Sequence, residues 1–154
     1  MNLNKQIVLV DIDGTVSKIG DRLKYIQTEP KDYDAFYNAC SEDKPVEKIT
    51  ALIKILKSSY RIVFCTGRRE SVRDKTISWI HQHVRVLLNG YTDNLLLMRK
   101  DRDFRSDTLV KPELLKKAGI ELSDIVFVLE DRDSMVAKWR ELGLTCLQVS
   151  EGAF

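Results

Sequence analysis

The chain has 154 residues, 44% of them hydrophobic and 31% charged, with only 7 Gly and 3 Pro. That is enough chain for one sizeable core and too little for two catalytic domains, and the composition excludes a disordered or low-complexity protein. Lys and Arg number 25 against 23 Asp and Glu, a net charge of +2 that excludes a histone-like or polybasic protein but not a local basic patch.

The first apolar run, Ile7–Val10, leads straight into Asp11, which is no signal-peptide layout. No run approaches the about 18–20 residues that span a bilayer, so no membrane contact is expected. Cys40, Cys65 and Cys146 are odd in number, far apart and without a C-x-x-C pair. Neither a disulfide framework nor a zinc site is favoured, and a reducing cytoplasm is the expected compartment.

In chain order, Gln6–Ile12 reads as a buried strand, rich in Ile and Val. Gly14 to about Lys44 then breaks the pattern and contains a short helix at Tyr33–Ala39. Such a long connection after a strand's carboxyl end suggests function in an α/β protein. Val46, Ile49, Ile53 and Leu56 form a helical stripe, followed by a strand at Arg61–Cys65. Val72, Thr76, Trp79 and Ile80 predict the next helix, and Asn94–Met98 the third strand. A charged loop through Arg105 follows. Leu109, Leu114 and Leu115 predict a helix that starts near Pro112 and stops at Gly119. Ile125–Leu129 is the fourth strand, Val136, Trp139 and Leu142 the last helix, and Thr145–Val149 the fifth strand. This alternation predicts an α/β, Rossmann-like, doubly wound parallel sheet of five strands.

Chemistry collects where strands end. Asp11 and Asp13 point to the same side of an extended chain, and Gly14 allows a sharp turn. The pair fits a hard cation such as Mg²⁺, with one carboxylate as nucleophile and the other as proton shuttle. It fits an ordinary Asx turn equally well. Thr66 and Gly67 before a helix offer either an anion site or a plain cap. Lys111 alone reads as a solvated helix residue. Glu130, Asp131 and Asp133 follow the fourth strand, as acids often do in a first helical turn. If that strand neighbours the first, however, Asp11, Asp13, Glu130 and Asp131 converge, and a divalent cation relieves their repulsion. His81 and His83 are two apart and share no helix face, so a metal role is not expected of them.

Taken together, Asp11–Thr15 (D-x-D-G-T), Thr66-Gly67-Arg68, Lys111 and Glu130-Asp131 resemble the haloacid dehalogenase (HAD) superfamily over nearly the whole chain. Dehalogenases lack the second acid and P-type ATPases carry a threonine there, so Asp13 points to the phosphatase and phosphotransferase branch. Within it the chain resembles the 3′-phosphatase domain of bacteriophage polynucleotide kinase/phosphatases, through the spacing of Arg22, through Asp107–Lys111 and through Val136–Phe154. Tyr33–Cys40 is similar instead to small single-domain phage and bacterial relatives. Glu130 replaces an Asp and Thr66 a Ser, both keeping function, and no G-x-x-x-x-G-K-[ST] kinase loop occurs in these residues.

The resemblance implies a single HAD domain over residues 1–154, with a short flap and minimal cap at about 14–44. It implies an aspartyl-phosphate on Asp11, acid–base work by Asp13, and phosphoryl contacts from Thr66 and Gly67. Lys111 would offset transition-state charge, and Arg22 and Arg68 would clamp the substrate phosphate. Mg²⁺ would be held by Asp11, the Asp13 carbonyl, Asp131 and Glu130. The expected substrates are nucleic-acid ends, chiefly polynucleotide 3′-phosphates in nucleic-acid repair, at a site whose rim Arg22, Arg68, Arg69, Arg99, Arg102 and Arg105 would line. The alternatives are a nucleoside monophosphate phosphatase and a non-catalytic nucleic-acid-end binder. A homo-oligomer is compatible with the sequence.

Overall fold

The computed structural model describes residues 6–152. In chain order its elements are β1 (Ile7–Val10), β2 (Ser17–Lys18), α1 (Lys24–Gln27), α2 (Tyr33–Asn38), β3 (Lys44–Pro45), α3 (Glu47–Leu56), β4 (Arg61–Arg69), α4 (Arg73–His83), β5 (Leu95–Arg99), α5 (Asp107–Lys117), β6 (Ile125–Glu130), α6 (Asp133–Glu141) and β7 (Cys146–Gln148). Five strands form one parallel sheet in the order β5-β4-β1-β6-β7. The α/β, Rossmann-like expectation is met.

All four residues of β1 are buried, as its central place requires. Their alternation divides the core. Val8 and Val10 pack with Ile62, Phe64, Trp79 and Ile80 on the face covered by α3 and α4. Ile7 and Leu9 pack with Val63, Leu115 and Trp139 on the face covered by α5 and α6. Trp79 and Trp139 are therefore core residues, and all three cysteines are buried and free.

The chain leaves β1 toward β4 and β5, then returns to place β6 on the other side of β1. That reversal opens a crevice at the carboxyl ends of adjacent strands, the usual ligand position in such sheets. The long connection after β1 is bracketed by the antiparallel pair β2–β3, with Ser17 opposite Pro45 and Lys18 opposite Lys44. Between them lie α1, α2 and two 3-10 turns.

Three local expectations change. Pro112 lies inside α5 rather than at its start, because Ser106 is the cap and accepts a hydrogen bond from the Thr108 amide (3.3 Å). Consequently α5 presents Val110, Lys111 and Leu115 to the protein, while Leu109 is 54% exposed. Finally, β4 runs on to Arg69 through an irregularity between Thr66 and Arg69, and a 3-10 turn at Glu70–Val72 precedes α4. No helix amino terminus directly follows Thr66-Gly67.

Candidate active site

Asp11 follows β1, and its amide donates to the Leu129 carbonyl on β6 (3.0 Å). This fixes Asp11 beside Glu130 and Asp131, and carboxylate oxygens of the three lie within 4.8 Å of one another. Lys111 enters from α5, only 2% exposed, and donates to Asp11 Oδ1 (2.7 Å) and Glu130 Oε2 (2.8 Å). The expectation of a solvated lysine fails because of the register of α5. The other Glu130 oxygen accepts the Asp131 amide (3.2 Å). Thr15, in the turn after β1, donates its hydroxyl to Asp11 Oδ2 or Asp131 Oδ1 (3.3 Å each).

Burial and the nearby Glu130 push the Asp11 carboxyl up to about 7 against the pull of Lys111. Burial and the charge of Asp11 push Asp131 up to about 6. Burial opposes a charged Lys111, yet Asp11 and Glu130 together hold it well above its ordinary value.

The fourth expected carboxylate, Asp13, lies outside this close group of three. Asp13 is gripped by two buried arginines: Arg22 Nη2 donates to Oδ1, and Arg68 donates through Nη2 (2.7 Å) and Nε (3.1 Å). Behind them stands Asp43, buried, accepting from Arg22 Nε (2.8 Å), Arg68 Nη2 (3.1 Å) and the Ser17 hydroxyl (2.7 Å). Burial raises Asp13, but Arg68 and Arg22 outweigh it and hold the carboxyl below its usual range. The Arg22 guanidinium also lies over Phe36, 4.3 Å from the ring centroid. Neither Arg22 nor Arg68 lines the open cleft; both sit behind Asp13.

The family described as the polynucleotide kinase PNKP phosphatase domain matches residues 5–154. The chain belongs to that family. It is a HAD-type phosphatase, a hydrolase.

The phosphatase is similar over its full length to chains of two solved assemblies, the Pnkp1/Rnl/Hen1 RNA repair complex (27% identity, TM-score 0.80) and a Pnkp1/Rnl/Hen1 complex (28%, 0.78). It covers 45% and 49% of those chains. A putative bifunctional polynucleotide kinase/RNA ligase of Autographa californica nuclear polyhedrosis virus is 28% identical over 137 residues, 88% of this chain but 18% of the viral one. The phosphatase thus spans less than half the length of these relatives. A haloacid dehalogenase-like hydrolase from Streptococcus pneumoniae shares the fold at 13% identity, with TM-score 0.64 over 94% of this chain and 84% of its own.

Asp11, Asp13, Thr66, Gly67, Lys111, Glu130 and Asp131 of the phosphatase all line one open cleft of about 390 Å³. Three carboxylates around one ammonium leave two negative charges in excess, an arrangement relieved by a divalent cation. The donors are all oxygen, so the set fits a hard ion such as Mg²⁺. Gly14 serves this cluster by its size: a Cβ there, at φ +89°, would meet Asp131 Oδ2 at 2.1 Å.

Of the other expected rim arginines, Arg69, Arg99 and Arg105 line the cleft. Arg102 does not line it and borders a shallow surface depression formed by residues 100–105. Sequence reasoning missed Asp43 and gave no role to Thr15 or Asp107, which it met only as members of the Asp11–Thr15 and Asp107–Lys111 stretches. Asp107, one helical turn before Lys111, accepts from Arg99 and from Arg132 (3.2 Å). Its spacing to Lys111 was a usable signal. Asp43 carries none, since its partners are Ser17, Arg22 and Arg68.

Proposed function

We propose that the protein is a Mg²⁺-dependent phosphomonoesterase that acts through an aspartyl-phosphate and removes 3′-phosphates from polynucleotide ends. The observation that carries this reading is the single cleft shared by a lysine-bound carboxylate, a second carboxylate on paired arginines, and the Thr66-Gly67 stretch of β4. The family match and the RNA-repair names of the relatives support a nucleotide substrate.

Asp11 attacks phosphorus, the ester P–O bond breaks, and the leaving sugar oxygen takes a proton from Asp13. Water then attacks phosphorus, Asp13 takes its proton, and the Asp11–phosphorus bond breaks to release inorganic phosphate. Arg22 and Arg68 favour the carboxylate of Asp13, the form that accepts this proton. The arginines thus act through Asp13, not as the phosphate clamps the family pattern suggests. Lys111 holds Asp11 in place and offsets charge on the phosphoryl oxygens, which Thr66 and the Gly67 amide also contact. Asp11, Glu130, Asp131 and the Asp13 carbonyl would hold Mg²⁺, which would supply charge neutralisation. Arg69, Arg99 and Arg105 face the rest of a polyanionic substrate.

The test is phosphate release from one oligonucleotide carrying a 3′-phosphate, the same oligonucleotide carrying a 5′-phosphate, and a nucleoside monophosphate. The 3′ end is expected to react fastest, only with Mg²⁺, and not at all with Asp11→Asn. A mononucleotide hydrolysed more than about tenfold faster would replace the substrate class.

A further inference from the structure

The cleft has a second chemistry at its mouth. The Arg69 guanidinium sits among three aromatic rings, 4.9 Å from the centroid of Tyr37, 5.6 Å from Phe104 and 5.9 Å from Tyr33. The rings come from both sides. Tyr33 and Tyr37 stand on α2, in the insertion after β1, and Phe104 stands in the loop after β5. All four residues line the cleft that holds the acids.

Their surroundings differ. Tyr37 is tied down, with its hydroxyl donating to the Gly67 carbonyl (3.5 Å) and its ring meeting Phe36 edge-on at 5.3 Å. Tyr33 and Phe104 are left open, at 43% and 78% exposure. One exposed ring is ordinary on a protein surface. Two exposed rings flank a guanidinium at the entrance of a phosphate-handling cleft and form a stacking surface around it, with Arg69 Nη1 also paired to the exposed Asp34 carboxylate (3.1 Å). A nucleotide end matches it, offering a flat π-face and a negative phosphate on one molecule.

We propose that Phe104, Tyr33 and Arg69 form a subsite for the nucleobase of the nucleotide that bears the scissile phosphate. The inference rests on the reading of the cleft as a nucleotide-end phosphatase, and it adds how the substrate is held. Every base has a π-face, so stacking of this kind tolerates any sequence, with Arg69 contributing through its planar cation.

The experiment uses an oligonucleotide with 2-aminopurine as its 3′-terminal, phosphate-bearing residue, titrated with the full chain carrying Asp11→Asn. Stacking is expected to quench the probe. Adding Phe104→Ala, a substitution at an exposed side chain, is expected to weaken binding about 5- to 100-fold and remove most of the quench, while Phe104→Trp restores it. Phosphate release by the wild-type protein is measured on the same oligonucleotide. Release without quenching overturns the base subsite and leaves the phosphatase reading intact. Neither release nor quenching overturns both. Quenching that survives Phe104→Ala combined with Tyr33→Ala overturns the assignment to this lip.

Discussion

Lys111 holds two buried carboxylates with one ammonium, 2.7 Å from Asp11 and 2.8 Å from Glu130. Removing it leaves like charges facing each other out of water. Lys111→Met is expected to cost about 3–5 kcal/mol in urea unfolding with chelator present, the scale of a broken buried ion pair. Asp13 poses the opposite problem, since it is stabilised as an anion by Arg22 and Arg68. Asp13→Asn is expected to slow hydrolysis of a nucleotide 3′-phosphate by about 100- to 10,000-fold. An activated aryl phosphate, whose leaving group needs little protonation, should lose far less. Equal losses on the two substrates would remove the acid role from Asp13.

At the scale of elements, two short features place the reacting groups. The turn after β1 folds back so tightly that the amides of Val16 and Ser17 both reach the Ile12 carbonyl (3.0 Å each). Gly14 makes that turn possible and also leaves room for Asp131. Gly14→Ala is expected to displace the Asp131 carboxylate and raise the Mg²⁺ concentration needed for half-maximal activity. An unchanged requirement would mean that Asp131 has slack the packing does not suggest. Helix α5 carries Lys111 into the site from a cap on Ser106. Ser106→Ala should lower stability by about 1 kcal/mol, read from the midpoint of denaturant unfolding.

At the scale of the whole molecule, the acidic cluster makes stability depend on pH and cation together. Asp11 and Asp131 have folded-state values raised to about 7 and about 6, above the ordinary carboxylate range. Between about pH 4 and pH 7 the folded state therefore binds more protons than the unfolded one, and stability falls as pH rises. In chelator, the melting temperature should decline across that window. On the proposed cation site, Mg²⁺ is expected to reverse the decline at pH 7, by about 2.7 kcal/mol at a hundredfold excess over its dissociation constant. A melting temperature at pH 7 that ignores Mg²⁺ would count against the cation site.

The sequence alone determined the chain order of the five sheet strands and of the helices between them, and the residues that could react, but not β2, α1 or β3. Apolar runs that stop abruptly at Asp11, Thr66 and Glu130 are local patterns, and a buried parallel strand shows them without any tertiary information. The tertiary structure decided which of these residues face one another. Lys111 reads as solvated until the Ser106 cap sets the register of α5 and turns it inward. The Asp13 carboxylate reads as one of four converging acids until the structure places it on Arg22 and Arg68. Asp43 becomes visible only when the chain between β2 and β3 brings it against arginines 21 and 25 residues away in sequence. The aromatic lip likewise joins α2 to the loop after β5. Each of these outcomes rests on burial and on charge pairing between distant segments, energies that a one-dimensional pattern does not carry.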